Sequence, residues 1–144
     1  MKADPRTETA VMTVMNQFAE AFGKRDLVAS LALLTPDPDL VFIGTGGDEK
    51  RIGLADIKAL FQRDFAQFED ASLKLVWPSV SAAGSVAWVI ADLILRAKTS
   101  GREISLRARS TAVLEQRRDR WLIVQLHASL PAAGQEKGEA FPTY

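Results

Sequence analysis

The chain has 144 residues, of which 47% are hydrophobic and 25% are charged, a makeup typical of one soluble globular domain. Eighteen basic residues balance eighteen acidic ones, so no positive field favours nucleic acid or an anionic membrane surface as a partner. The absence of cysteine excludes disulfides, thiolate metal sites and thiol nucleophiles, and it fits a reducing cytoplasm.

The amino-terminal stretch MKADPRTETA lacks the apolar run that a secretory signal needs. No segment of the sequence approaches the roughly 18 consecutive apolar residues that would span a bilayer. The sequence therefore predicts a cytoplasmic protein that has no membrane partner.

Three helices are predicted in the first half of the chain. Apolar residues recur at helical spacing between Asp4 and Gly23, which predicts an amphipathic helix over residues 6 to 22. Asp26 is a suitable cap for a short second helix over residues 27 to 34, which the following prolines end. The third helix is marked by Leu54, Ile57, Phe61, Phe65 and Phe68.

Long β-prone segments joined by tight turn signals make up the chain from Ser72 onward, and the shorter run DLVFIG precedes the third helix. This order predicts an α+β domain in which three helices pack on one face of a curved, mainly antiparallel sheet. The domain is predicted to cover residues 1–131, followed by an irregular tail over residues 132–144. The long segments are ASLKLVWPSV, SVAWVIADLILRAK, REISLRARSTAVLEQ and RWLIVQLHASL, with AAG, TSG and RRD between them.

The segment from residue 86 to residue 96 is apolar on both of its faces. An antiparallel sheet with one solvated face alternates more cleanly, so the second face is predicted to meet a partner subunit in a homodimer. Alternation places Ala87, Val89, Ala91, Leu93 and Leu95 on one face, and Val86, Trp88, Ile90, Asp92, Ile94 and Arg96 on the other.

Three stretches carry a family resemblance: VFIGTGGDEKRIGLADIKALFQRDF, SVAWVIADL and RWLIVQLHASLP. Together they resemble the SnoaL-like domains of the NTF2-like superfamily, whose cone-shaped α+β fold is also that of a ketosteroid isomerase and of polyketide cyclases. The resemblance implies a pocket between the three helices and the concave sheet face, and a dimer through the other face. It does not specify the function, because this fold hosts isomerases, cyclases, dehydratases and modules without chemistry.

The catalytic aspartate of the ketosteroid isomerase has no counterpart in this chain. By resemblance, that base lies a fixed short distance before the glycine that opens the third helix, here Gly53. Counting back reaches Gly44 or its immediate neighbours, none of which is a carboxylate. A mechanism in which that base moves a proton beside a carbonyl is therefore not predicted.

Asp92 is the candidate catalytic acid or base, because it interrupts an apolar strand face and a buried carboxylate is costly unless it is paired or protonated. In the functional interpretation, apolar walls raise its pKa inside the pocket, beside Trp88 as a stacking surface. In the structural interpretation, it pairs with Arg107 or Arg109 of the neighbouring strand, or it reaches solvent.

The pocket is predicted to be apolar, with few polar contacts to its ligand. Arg107 and Arg109 are weaker candidates as a clamp for an anion, because their strand face looks solvated or subunit-facing. No metal site and no cofactor are predicted, because the sequence contains no cluster of ligands at metal spacing. The predicted lining residues are Phe42, Trp88, Ile90, Ala108, Ser110, Ala112, Leu126 and Ala128.

Two further features are interpreted as structural. The GTGG loop from Gly44 to Gly47 lacks the lysine of a phosphate-binding loop, and acidic residues follow it, so it is predicted to be a turn. His127, the single histidine, is predicted to face away from the cone. The alternation that supports this places Trp121, Ile123, Gln125, His127 and Ser129 outward, and Leu122, Val124, Leu126 and Ala128 inward.

Two functions follow from these predictions. The first is a protein that encloses a small, mainly apolar molecule and acts as a cofactor-independent isomerase, cyclase or hydratase. The alternative is a non-catalytic ligand-binding or association module, which the missing first-strand aspartate favours. A deep pocket with Asp92 inside it would support chemistry, and a filled or purely apolar pocket would support the module.

Overall fold

A computed structural model describes residues 1–143, and in this range three helices and six strands follow one another. Two short strands form a hairpin ahead of the third helix, and four long strands form a meander after it. The helices are α1 (Pro5–Gly23), α2 (Leu27–Ala32) and α3 (Leu54–Phe65). The strands are β1 (Val41–Ile43), β2 (Lys50–Ile52), β3 (Asp70–Ala83), β4 (Val86–Thr99), β5 (Arg102–Arg117) and β6 (Arg120–Ser129).

The first helix begins at a cap that the sequence supplies. The Asp4 carboxylate accepts a hydrogen bond of 2.8 Å from the backbone N–H of Thr7, and Pro5 occupies the first turn, where its missing N–H costs nothing. At the other end, a Cβ on Gly23 would lie 2.6 Å from the carbonyl oxygen of Ala71. Glycine therefore allows the end of α1 to approach β3 more closely than any other residue would.

The second helix is shorter than the sequence predicts. Asp26 caps it as expected, accepting from the backbone N–H of Ala29 at 3.0 Å, but the helix ends at Ala32 rather than at residue 34. The following residues leave the helix because they pair with β6. Ile123 donates to the carbonyl of Leu33 at 2.9 Å, and Thr35 donates to the carbonyl of Ile123 at 3.0 Å.

The sheet has the strand order β2-β1-β6-β5-β4-β3. Every neighbouring pair is antiparallel except β1 and β6, which run parallel. The helices lie on one face of this sheet, with α1 packed against β3 and β6. The predicted α+β cone with helices on a mainly antiparallel sheet is confirmed.

An aromatic cluster joins α1 to α3 and to the sheet. Phe61 of α3 is fully buried, and its ring centroid lies 5.4 Å from that of Phe22 in α1 and 5.2 Å from that of Phe42 in β1, both in edge-to-face contact. Such geometry is favourable because the positive edge of one ring meets the negative face of the other. The cluster holds the two helices over one end of the sheet.

A β-bulge reverses the alternation of side chains within β3. Val76 pairs with Asp92 but Ser79 pairs with Ile90, so Trp77 and Pro78 together oppose a single residue of β4. Trp77 adopts a positive φ of 56° and is exposed. The extra residue shifts the alternation of side chains by one position. Odd-numbered residues before the bulge and even-numbered residues after it therefore face the helices.

A second bulge corrects the predicted facing of β6. Val113 pairs with Gln125 while Leu114 pairs with Ile123, so Val124 has no partner on β5. Trp121 and Ile123, which strict alternation places outward, are buried in the core instead. Beyond the bulge the predicted alternation holds: Leu126 and Ala128 face the helices, and His127 is exposed on the outer face.

Residues 130–143 form turns and irregular backbone, and most of them are exposed. The domain boundary at residue 131 stays a prediction. Among residues 1–143, none of the helices is long and apolar enough to cross a membrane. The location in the cytoplasm likewise stays a prediction from composition.

Candidate functional site

A cavity of about 430 Å³ lies between the helices and the inner face of the sheet. Its walls are mainly apolar, and they come from helices α1 and α3 and from all the strands except β2. The sheet contributes leucines at positions that face the helices. The main apolar residues of the walls are Met15, Phe18 and Phe22 of α1, Phe68 after α3, Leu73 and Leu75 of β3, Leu93 and Leu95 of β4, and Leu106 of β5.

Small side chains on the inner sheet face leave the space open. Ala97, Ser110 and Ala128 line the cavity on three different strands, and all three are buried. The Ser110 hydroxyl donates a hydrogen bond of 3.1 Å to the carbonyl of Ala91. The hydroxyl proton is therefore already used in a hydrogen bond, and only the lone pairs of the oxygen can accept a hydrogen bond from a ligand.

One end of the cavity is acidic, because Glu49 and Asp64 line it. Asp64 lies on α3 at a position that the helical repeat reserves for the core, three residues after Phe61 and four after Leu60. Both of those neighbours are fully buried. The helix therefore turns the Asp64 carboxylate toward the cavity, and its side chain is 24% exposed.

Burial raises the pKa of Asp64 above its ordinary value of 3.8. The negative charge of Glu49 raises this pKa further, because two carboxylates at one site repel each other. A hydrogen bond of 3.2 Å from Nε of Arg63 opposes both effects but does not cancel them. Asp64 is thus a carboxyl group that holds its proton more tightly than an exposed aspartate does.

Glu49 reaches the cavity by folding back over the GTGG loop. A Cβ on Gly44 would overlap with Oε2 of Glu49, and a Cβ on Gly46 would lie 2.9 Å from Oε1. The glycines of the loop therefore make room for a carboxylate. The loop is a turn, as predicted, and the Glu49 carboxylate lies against the backbone where an anion would have to bind.

Arg63 connects the acidic end of the cavity to a third carboxylate. Its guanidinium donates to Oε1 of Glu49 at 3.3 Å, to Oδ1 of Asp64 at 3.2 Å and to Oδ2 of Asp48 at 2.5 Å. Asp48 differs from the other two because its side chain is 69% exposed and does not line the cavity. The hydrogen bond from Arg63 lowers the pKa of Asp48.

The predicted lining residues separate into two groups. The structure brings Phe42, Ser110, Leu126 and Ala128 together in the wall of the cavity. Ala108 and Ala112 are buried on the same inner face but do not line the cavity. Trp88 and Ile90 do not line it either, because even-numbered residues of β4 point away from the helices.

The structure places Asp92 outside the cavity, on the outer face of the sheet. Its Oδ2 accepts hydrogen bonds from Nε of Arg107 at 3.1 Å and from Nη2 of the same residue at 2.7 Å. Arg109, the other predicted partner, lies directly opposite Asp92 but donates to Ser129 and to the carbonyl of Leu130. Asp92 therefore forms an ion pair with Arg107, as in the structural interpretation of this residue.

Neither of the two acidic residues of the cavity was predicted from the sequence. A signal existed for Asp64, because Ile57, Leu60, Phe61 and Phe65 define an apolar stripe and Asp64 occupies a position within it. No comparable signal existed for Glu49. Its approach to the cavity depends on the path of a glycine-rich turn, which periodicity does not determine.

A curved α+β cone with an apolar cavity closed by helices defines the structural class of this protein. Residues 11–133 match the SnoaL-like domain family, and the chain belongs to this family. A search of the curated proteins finds no match to the sequence.

Solved structures with the same fold support the class. An NTF2-like superfamily protein from Salmonella enterica serovar Typhimurium LT2 has a TM-score of 0.81 at 22% identity, over 94% of this chain and 99% of that one. A candidate dehydratase of the NTF2-like family from Streptomyces avermitilis has a TM-score of 0.80 at 20% identity, over 90% and 100%. A candidate calcium/calmodulin dependent protein kinase II association domain from Xanthomonas campestris has a TM-score of 0.75 at 20% identity, over 91% and 90%.

Proposed function

We propose that the protein binds a small, mainly apolar molecule in the cavity between its helices and the inner sheet face. The observation that carries this proposal is a cavity of about 430 Å³ whose walls are rich in leucine and phenylalanine and which holds two carboxylates at one end. Sites for small molecules have volumes of roughly 300–1,000 Å³ and combine apolar walls with a few polar groups that orient the ligand. The cavity has this composition.

Asp64 is the group at which cofactor-independent isomerase, cyclase or hydratase chemistry would act. A carboxyl group whose pKa is raised by burial is a better proton donor and acceptor near neutral pH than an exposed one. The candidate dehydratase of the same fold from Streptomyces avermitilis supports this reaction class. Asp92 is less suited to the role, because Arg107 holds its carboxylate on the opposite face of the sheet.

A non-catalytic binding or association module is the alternative function. The observation that favours it is the surroundings of Asp64, whose hydrogen-bonding side-chain partner is Arg63. Arginine keeps its proton in proteins, so this pair does not form a relay of the kind that a base and its orienting residue form. The association domain from Xanthomonas campestris with the same fold is consistent with this alternative.

The assembly proposed for either function is a homodimer through the outer sheet face. Ile90 in the middle of β4 is 45% exposed on this face, and Val86 at the start of the same strand is also exposed there. These apolar side chains of β4 form a surface that a second copy of the same sheet would cover. A twofold pairing of identical faces is the commonest arrangement of protein dimers.

The binding function is tested by filling the cavity. Leu106 lines the cavity, and Leu106→Trp replaces its side chain with a larger indole ring that occupies part of the space. The affinity for the neutral probe 2-naphthalenemethanol is therefore expected to fall roughly tenfold or more. Ser105→Trp is the matched control, because Ser105 is the preceding residue on β5 and is exposed on the other face. Isothermal titration calorimetry measures the three affinities.

Equal affinities in the unmodified chain and in Leu106→Trp would contradict binding in this cavity, and so would a loss in the Ser105→Trp control alone. Mass spectrometry of molecules that the protein retains from a lysate then supplies candidate substrates. Turnover of such a substrate that persists in Asp64→Asn would contradict the catalytic role of Asp64, and binding without any turnover by the unmodified chain would favour the non-catalytic module.

A further inference from the structure

The ionisable side chains that line the cavity are all acidic. Of the described residues, Glu49 and Asp64 line it, and no lysine, arginine or histidine does. The rest of the wall is hydrocarbon with a few neutral polar groups. A ligand therefore meets negative charge at one end of the cavity and apolar surface elsewhere.

The nearby cations do not neutralise this negative charge. Arg63 is shared among three carboxylates, those of Asp48, Glu49 and Asp64. Arg51 forms an ion pair with Asp56, since its Nη1 lies 3.2 Å from Oδ1 of that residue. Glu49 is only 18% exposed and Asp64 only 24%, so solvent screens their charges less than it screens that of exposed Asp48.

Each of the two carboxylates also keeps an oxygen for a ligand. Arg63 bonds Oε1 of Glu49 and Oδ1 of Asp64, and within residues 1–143 no protein group donates to Oε2 or Oδ2. Among the described residues, no fully buried side-chain oxygen lacks a hydrogen-bond partner, so these two oxygens are at least partly exposed. An ammonium group carries three donors and is matched to such acceptors.

Aromatic rings also line the cavity. Phe22, Phe42 and Phe68 line the cavity, and the faces of their rings carry partial negative charge. Ring faces attract cations and do not attract anions. A ring that presents its face to the cavity therefore favours the same ligand charge as the carboxylates do.

We infer that the cavity selects an apolar molecule that carries a protonated amine, in preference to a neutral or anionic molecule with the same hydrocarbon body. The ammonium group lies at the Glu49 and Asp64 end, and the hydrocarbon body lies against the leucines of the sheet. This inference rests on the proposed binding function and adds to it the charge of the ligand.

Three probes with one ring system separate charge from shape: 2-naphthylmethylamine as its ammonium, neutral 2-naphthalenemethanol and anionic 2-naphthoate. Titration calorimetry at neutral pH is expected to give an affinity for the ammonium roughly tenfold above that for the alcohol, with the carboxylate weakest. An alcohol that binds as tightly as the ammonium, or more tightly, overturns the inference and leaves the binding function standing. Failure of all three probes to bind overturns both.

Variants of the carboxylates test the origin of the preference. Glu49→Gln and Asp64→Asn are each expected to reduce the ratio of ammonium to alcohol affinity severalfold, because each removes one charge with little change in shape. Asp48→Asn is the matched control, since Asp48 shares Arg63 but is 69% exposed and does not line the cavity. A ratio that falls only in the control, or stays the same in both test variants, overturns the assignment to Glu49 and Asp64.

Discussion

Asp64 occupies a position on α3 where a hydrophobic side chain would complete the core. The helix buries Leu60 and Phe61 on the same stripe, and the carboxylate is the polar exception. Such an exception lowers the stability of the folded chain, because a partly buried charge loses hydration that neighbouring groups do not fully replace. Its presence at the cavity is consistent with a role in recognising a ligand.

The raised pKa of Asp64 predicts how stability depends on pH. The folded chain binds this proton more tightly than the unfolded chain, so stability falls as pH rises from the ordinary value of 3.8 through the raised pKa. The penalty is fully present above the raised pKa. Asp64→Asn is therefore expected to be more stable than the unmodified chain at neutral pH, with an advantage that shrinks as pH falls through this window. Urea denaturation over a series of pH values measures the difference.

Asp92→Asn is the control for removal of a carboxylate. It breaks the pair with Arg107, whose side chain is 64% exposed, and is expected to lower the free energy of unfolding by about 0–1 kcal/mol at neutral pH. The prediction for Asp64 fails if the stability difference between Asp64→Asn and the unmodified chain is the same at every pH.

The contrast between Asp64 and Asp92 explains why Asp64 was not predicted from the sequence. Both acids interrupt an apolar pattern, and the pattern alone does not say which side of the protein it faces. Strand β4 is apolar on both faces, so the apolar neighbours of Asp92 did not distinguish the cavity from the outer surface. On α3 a single stripe is apolar, and an acidic residue within that stripe must therefore face the core.

Within the sheet, two bulges determine which residues face the helices. In β6, Leu122, Ile123 and Val124 are all apolar, so the sequence is compatible with either set of residues facing the helices. The facing is determined by the one residue of this stretch that has no partner on β5. That residue is Val124. Ile123 consequently belongs to the core, although the sequence pattern predicts it on the outer face.

Alanine substitutions on the two sides of this bulge are expected to differ. Ile123→Ala removes a fully buried side chain and is expected to lower the free energy of unfolding by about 2–5 kcal/mol. Val124→Ala affects a partly exposed side chain without a cross-strand partner, and about 1 kcal/mol or less is expected. Urea denaturation measures both values. The facing assigned to β6 is contradicted if Val124→Ala proves the more destabilising variant.

The elements themselves were predictable because their signals are local. Helical spacing, an aspartate cap and turn glycines identified three helices and a meander of four long strands, and these agree with the structure. The end of α2 and the bulges of β3 and β6 were not predictable. They depend on pairing between residues far apart in the sequence, such as Leu33 with Ile123.

For the molecule as a whole, the two sheet faces differ in their surroundings. The inner face forms the cavity, and the outer face carries the apolar residues proposed to pair with a second copy. The resemblance to SnoaL-like domains made the position of the cavity predictable, and the dimer through the outer face stays a prediction. The chemistry of the cavity was not predictable in the same way, because it depends on two side chains that the shared fold does not specify.

A charge on the outer face is expected to separate the proposed dimer. Ile90→Asp places a carboxylate at the centre of that face and is expected to weaken the dimer roughly 100-fold or more. Val28→Asp is the matched control, because Val28 is an apolar residue that is 80% exposed on α2, away from the sheet. Sedimentation velocity at micromolar concentration measures the assembly.

A monomeric unmodified chain under those conditions would contradict the dimer. Dissociation in the Val28→Asp variant alone would place the interface on the helices instead.

The cavity also couples the stability of the folded chain to any molecule that fills it. Leucines and phenylalanines that line an open space lack neighbours on one side, and the folded state forgoes the dispersion contacts that a filled core would make. A molecule that fills the space supplies those contacts to the folded chain and not to the unfolded one. At about 100 times its dissociation constant, such a molecule adds about 2.7 kcal/mol to the stability. The melting temperature therefore reports occupancy of the cavity whether or not any reaction follows.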